Sequence, residues 1–140
     1  MEARVDGKVA LVTGATQGVG RAIADALSRS GVEALLLTGR DAARGAEVAA
    51  ELGRSGAKAA FVAAELSDPA TPEMLVRECV ERFGRIDVLV NAAGLTNRAS
   101  VTDGTLEDWA TLFDVNARAP FFLMQHAIRA MRERGIGGAI

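Results

Sequence analysis

An α/β domain with a parallel, doubly wound sheet is the architecture this sequence predicts, on three observations. Short apolar runs rich in branched residues alternate with single helical stretches, no linker interrupts them, and a glycine-rich turn joins the first run to the first helix. Strands separated by one helix pair in parallel through right-handed crossovers, which puts helices on both faces of the sheet. At 140 residues the chain is one domain by length, large enough to bury a sizeable core.

The first strand is Lys8-Val9-Ala10-Leu11-Val12, composed as an interior parallel strand should be. After the turn, Val19, Ala22, Ile23, Ala26 and Leu27 recur at helical spacing, with Gly31 available as a stop. Ala34-Leu35-Leu36-Leu37-Thr38 reads as the second strand, and residues 41–55 as a helix closed near Gly53 or Gly56. Lys58-Ala59-Ala60-Phe61-Val62-Ala63 is a third, weaker strand, because alanine is a poor strand former. Asp68-Pro69 opens the next helix, where Leu75, Val76, Cys79, Val80 and Phe83 share a face, and Gly84 ends it. Ile86-Asp87-Val88-Leu89-Val90 is the fourth strand. A loop and a long helical stretch from about 105 to 134 follow, and Gly137-Gly138-Ala139-Ile140 reads as a fifth strand truncated at its start.

In open parallel sheets ligands sit beyond the carboxyl ends of the strands, where strand order switches. Three loops share that edge: the glycine turn, Gly39-Arg40 and Asn91-Ala92-Ala93-Gly94. In the first, Gly14 permits a tight exit from the strand, Gly18 lets backbone approach a phosphate, and Gly20 lets helix pack on sheet. Free backbone N–H groups and the positive end of a helix dipole then meet at one spot, which suits a diphosphate. The spacing is G-x-x-x-G-x-G rather than G-x-G-x-x-G, and no Gly-Lys-Ser/Thr follows to suggest a P-loop. A dinucleotide site that holds a free ribose 2′-hydroxyl places a carboxylate about 20 residues past the glycine loop. Gly39 and Arg40 occupy that place here, and a guanidinium suits a 2′-phosphate. One charged hydrogen bond of about 1.5–3 kcal/mol favours NADP over NAD roughly ten- to hundredfold.

Together these residues resemble the short-chain dehydrogenase/reductase family of NAD(P)-dependent oxidoreductases, over essentially the whole chain but only the first half or so of such an enzyme. Thr13 to Gly20 looks like the family's T-G-x-x-x-G-x-G loop, which assigns Gly14, Thr16, Gln17, Gly18, Val19 and Gly20 to the cofactor. Asn91, Ala92 and Gly94 lie in what looks like its N-N-A-G element, with Ala92 replacing the second asparagine. Glu65 and Leu66 stand where the family flanks the adenine, usually with aspartate at the first place. Gln17 stands where NADP-preferring members often carry a basic residue, so Arg40 would hold the phosphate with less help.

Asn116, in Asp114-Val115-Asn116-Ala117, matches the asparagine of the family's Asn-Ser-Tyr-Lys group. From the residues alone, Trp109, Leu112, Phe113 and Asn116 fall at helical spacing, so a polar side chain enters an apolar face. Pro120, four residues on, cannot donate to the Asn116 carbonyl and kinks the helix. From the residues this reads as a kinked core helix with a hydrogen-bonded asparagine, whereas the resemblance implies that Pro120 leaves the Asn116 carbonyl free to hold a water. The family uses its asparagine carbonyl for the water of a proton relay. Its serine, tyrosine and lysine would lie beyond Ile140. This chain has no tyrosine, and its two lysines, Lys8 and Lys58, belong to strands.

The resemblance thus implies a Rossmann-like NAD(P)-binding domain over residues 1–140, with the segment of the catalytic serine, tyrosine and lysine absent. The complete protein is expected to transfer hydride between NADP(H), or alternatively NAD(H), and a carbonyl or secondary alcohol, while the 140 residues alone are expected to be inactive. The alternative is a non-catalytic dinucleotide-binding module or an oligomerising fragment. The family also implies a homo-oligomer, dimer or tetramer. A net charge of −2 gives no case for nucleic acid or an anionic membrane. The single cysteine, Cys79, and single histidine, His126, exclude an internal disulfide and a His/Cys zinc cluster. Glu2, Arg4, Asp6 and Lys8 stand where a signal peptide would be apolar, and no run reaches the length of a membrane span, so a cytoplasmic location is expected.

Overall fold

Alternation along β1 (Val9–Thr13) sends Val9 and Leu11 to one face of a sheet and Ala10 and Val12 to the other, and all four are buried. The computed structural model describes residues 5–140, so Glu2 and Arg4 of the charged N-terminus lie outside it. β2 (Ala34–Gly39), β3 (Lys58–Ala63) and β4 (Val88–Val90) join β1 in the order β3-β2-β1-β4, every pair parallel. α1 (Gly18–Arg29) and α2 (Ala42–Gly53) cover one face, where Ala24, Val48 and Leu52 pack on Ala10, Val12, Leu35 and Leu37. α3 (Thr71–Phe83) and α5 (Ala119–Glu133) cover the other, where Leu75, Cys79, Leu123 and Met131 pack on Val9, Leu11 and Leu36. This is the doubly wound, Rossmann-like sheet. Each fully buried leucine contributes about 1.5–3 kcal/mol, and the uninterrupted run Leu35-Leu36-Leu37 serves both faces at once.

Winding proceeds from β1 to β3 in one direction and then returns past β1 to β4, so strand order reverses between β1 and β4. β3 is an edge strand, half-buried along its middle and starting on exposed Lys58. Next to β4, where a fifth strand was expected, the chain makes one isolated parallel bridge, Val88 to Ala139, and no further strand pairing among the described residues. The Leu89 N–H donates to the Ala139 carbonyl at 3.0 Å and the Ala139 N–H to the Asp87 carbonyl at 2.9 Å, a parallel bridge.

Three elements differ from the expectation. α3 starts at Thr71, not Asp68: the Asp68 carboxylate instead accepts the Ala70 N–H at 2.9 Å in a turn, and Pro72 takes the first helical turn. The buried seam of α1 is Gly20, Ala24 and Ser28, whereas Val19 is 71% exposed. Small residues make the closest approach to the sheet, and the larger Ile23 and Leu27 flank it half-buried. The stretch 105–134 is a helical run interrupted by one π turn: α4 (Leu106–Phe113), the turn Asp114–Arg118, then α5. α4 buries no residue, so the apolar face read around Asn116 is not core. Trp109 and Phe113 stack on each other with ring centroids 4.5 Å apart, and both are mostly exposed because no described element covers them.

Cys79 is fully buried on the inner face of α3, and burial, aided by the Asp87 charge, pushes its thiol up to about 12. It is neutral packing material rather than a nucleophile. Among the described residues no helix is long and apolar enough to cross a membrane.

Candidate functional site

Beyond the carboxyl ends of the strands, at the reversal between β1 and β4, the loops enclose a cleft of about 570 Å³. Thr13, at the end of β1, stands behind the cleft walls and fastens them. That buried hydroxyl donates to the Val90 carbonyl at 3.3 Å and accepts the N–H groups of Ala92 and Ala93, each at 3.1 Å. The Ala15 N–H donates to the Thr38 carbonyl at 3.1 Å, which ties the glycine turn to the end of β2. The three loops read from the sequence are therefore held to one another, not merely adjacent.

The turn after Thr13 is shaped by close approach. Gly14 has φ +63°, and a Cβ there would lie 2.8 Å from the Ala93 Cα. A Cβ on Gly20 would lie 2.3 Å from the Gly14 carbonyl oxygen. Gln17 is the N-cap of α1, in extended backbone, and its side chain makes no cap hydrogen bond. Among the described residues the first-turn N–H groups thus have no side-chain cap, and they point out of the helix end. In front of them Gly18, at φ +57°, has nothing within 4 Å of where a Cβ would stand. Uncapped donors facing an open cradle, with Arg40 on the same cleft, are the chemistry a phosphate-bearing dinucleotide needs.

Of the residues singled out from the sequence, Gly14, Thr16, Gln17, Gly18, Val19 and Gly20 line the cleft together. Arg40, Glu65, Leu66, Ala92 and Gly94 line it with them. Val19 owes its exposure to this position. Asn91 and Asn116 are not among its walls. Asn91 follows β4, and its side-chain oxygen is buried without a hydrogen-bond partner among the described residues. Asn116 acts one step back: its carboxamide accepts the Leu95 N–H at 2.8 Å and donates to the Leu95 carbonyl at 2.7 Å, and Leu95 is a wall. Asn116 is exposed, so the hydrogen-bonded asparagine is present but not in a core.

Pro120 explains the backbone there. In α-helical register the Asn116 carbonyl would accept from residue 120, which has no N–H. The chain instead widens into the π turn, in which the Ala119 N–H reaches the Asp114 carbonyl. Asn116→Ala is expected to leave both polar groups of Leu95 without this partner and cost about 1 kcal/mol. Faster amide exchange at Leu95 and a lower urea midpoint check this. Asn116→Asp, which keeps the acceptor but loses the donor, falls between.

Several supports were not visible in the sequence. Thr38 and Ser67 are further walls. The Thr71 hydroxyl donates to the Glu65 carbonyl at 2.7 Å, and Arg118 of the π turn donates to the Ser67 carbonyl at 2.6 Å while pairing with Asp114. These contacts fix the 64–67 loop. The usable signal was a hydroxyl at a strand end, as at Thr13 and Thr38, where an apolar side chain would serve burial better.

The family model "short chain dehydrogenase" matches residues 8–140. The chain belongs to the short-chain dehydrogenase family. Sorbitol dehydrogenase of Cereibacter sphaeroides is 40% identical over 138 residues, which span 98% of this chain and 52% of that enzyme. L-sorbose reductase from Gluconobacter frateurii, solved with NADPH and L-sorbose, matches with a TM-score of 0.91 at 29% identity, covering 99% of this chain and 53% of that one. A metagenomic short-chain oxidoreductase solved with NADP matches with a TM-score of 0.88 at 32% identity, covering 98% and 62%. This short-chain dehydrogenase chain spans about half the length of the curated relatives it matches. Its matched residues, 8–140, begin at β1 and include every wall of the cleft.

Proposed function

We propose that these residues are the cofactor-binding portion of an NADP-linked carbonyl reductase or alcohol dehydrogenase. The observation that carries the reading is the uncapped start of α1 opening on the same cleft as Arg40, with no carboxylate at Gly39 or Arg40. The N–H groups at the start of α1 bind the diphosphate, Gly18 leaves room for it, and Arg40 holds the 2′-phosphate. Glu65 and Leu66 flank the adenine. Thr13 holds Ala92 and Ala93, and Asn116 holds Leu95, so that side of the cleft keeps its shape. In the complete protein the bound cofactor supplies or accepts the hydride at a carbonyl or secondary alcohol carbon. Asn116 then contributes its backbone carbonyl, within the π turn, as the seat of a relay water. The matched relatives solved with NADP or NADPH support the cofactor, and Trp109 and Phe113 on open α4 support a homo-oligomer.

Calorimetric titration of the chain with NADP+ and NAD+ tests the reading. NADP+ is expected to bind at least about tenfold tighter, and Arg40→Ala to remove most of that margin. Equal binding of both, with no effect of Arg40→Ala, contradicts the assigned cofactor. No binding of either contradicts the cleft.

A further inference from the structure

Position 17 carries no charge, yet a charge stands beside it. Arg44, in the first turn of α2, reaches across to α1 and donates from Nη1 to the Gln17 Oε1 at 2.8 Å. Its own N–H donates to the Asp41 carboxylate at 3.0 Å, and its Nε lies 4.0 Å from the same group. Gln17 lines the cleft, as does Arg40. We infer that Arg44, steered by Gln17, is a second guanidinium for the adenosine 2′-phosphate and so sets NADP preference jointly with Arg40. The inference rests on the cofactor reading above.

Charge balance favours this role over a simple strap between helices. Arg40 and Glu65 are the charged walls of the cleft, and Arg44, with Asp41 beside it, stands behind the wall residue Gln17 rather than among the walls. Without Arg44 the one lining cation, Arg40, is matched by the lining carboxylate of Glu65, with Asp41 next to it in sequence, an unfavourable setting for a phosphate dianion. With it the charges balance, and Asp41 is occupied as the N-cap of α2. A guanidinium carries five N–H donors, more than its contacts to Gln17 and Asp41 use. Gln17 is suited to the steering because it accepts the bond without adding charge of its own. An aspartate or glutamate there would bind Arg44 more strongly and cancel it.

The test compares affinities of the full chain for NADP+, NAD+ and 2′,5′-ADP across Arg44→Gln and the double variant Gln17→Lys with Arg44→Gln. Arg44→Gln is expected to weaken NADP+ and 2′,5′-ADP about five- to tenfold while NAD+ stays within about twofold, since the pair is exposed and partly screened. The salt dependence of NADP+ binding should flatten with it. Moving the charge to position 17 should restore most of the NADP+ affinity. The NAD+ value reports folding and cleft integrity, so it separates recognition from structure. Equal weakening of NADP+ and NAD+, or no change in NADP+, overturns the role of Arg44 alone. A wild-type chain that binds neither dinucleotide overturns the cofactor reading and this role with it.

Discussion

Gly20→Ala is expected to destabilise the domain and abolish dinucleotide binding together. The added Cβ would stand 2.3 Å from the Gly14 carbonyl oxygen, 2.7 Å from its carbon and 2.9 Å from the Thr13 carbonyl oxygen. All three are backbone atoms, so no side-chain rotation relieves the contact. Alanine's better helix propensity returns at most about 1 kcal/mol, and overpacking at such a site costs about 1–3 kcal/mol or more. The helix must lift off the turn, and Gly14 has no slack to follow, because its own far side is against Ala93. Chemical denaturation and NADP+ titration of the same sample measure the joint loss.

Gly18→Ala separates the two effects. Its Cβ would enter open space, so the fold loses only the cost of a left-handed alanine at φ +57°, about 1–2 kcal/mol. That open space is the proposed seat of the diphosphate, and one or two charge-assisted hydrogen bonds lost there weaken binding about a hundredfold. A variant that is nearly as stable as the parent but does not bind would locate the phosphate at Gly18. Retained binding would remove the phosphate from this turn.

The glycine turn was legible because its requirements are local: backbone exits, approaches and positive φ each demand glycine, and demand it in order. Arg40 was legible for a similar reason, since the residue after β2 must emerge on the ligand edge of the sheet. Arg44 was not, because its contact with Gln17 depends on how α2 is rotated against α1, and no spacing along one helix encodes that. The reciprocal capping box of Thr105 and Asp108 at the start of α4 was not read from the sequence, although its pattern is local. The face of Trp109 and Phe113 carried a correct helical period but a wrong environment, since periodicity marks a sided helix without saying what lies over it. At Pro120 the missing N–H was legible, while its resolution as a π turn rather than a kink was not, because either backbone path leaves the Asn116 carbonyl without that donor.

Asp87→Ala is the second large effect, and it acts at the opposite end of the sheet. The carboxylate is 2% exposed, accepts the Val9 N–H at 3.0 Å, and takes both nitrogens of a forked Arg85 at 2.8 and 2.6 Å, with Lys8 at 3.7 Å. Its backbone carbonyl also receives the Ala139 N–H, so one residue joins the starts of β1 and β4 to the bridge at Ala139. Burial by itself would raise its pKa, but the Arg85 hydrogen bonds, the Val9 N–H and the charges of Arg85 and Lys8 outweigh it and hold the group below the ordinary carboxylate range. Removing the side chain leaves Arg85 and Lys8 where water reaches them and strands the Val9 N–H, at a cost of about 2–3 kcal/mol or about 8–12 °C in Tm. A depressed carboxyl contributes stability above its unfolded pKa of about 3.9 and loses it as pH falls through the folded value. The gap in urea midpoint between parent and Asp87→Ala should therefore be full at pH 7 and shrink below about pH 4. Arg85→Ala removes the main depressing partner, so its acid unfolding should begin at higher pH than the parent's. Because Asp87 lies at the end of the strands away from the cleft, the NADP+ to NAD+ affinity ratio of folded Asp87→Ala should match the parent. A changed ratio would mean that the two ends of the sheet are coupled.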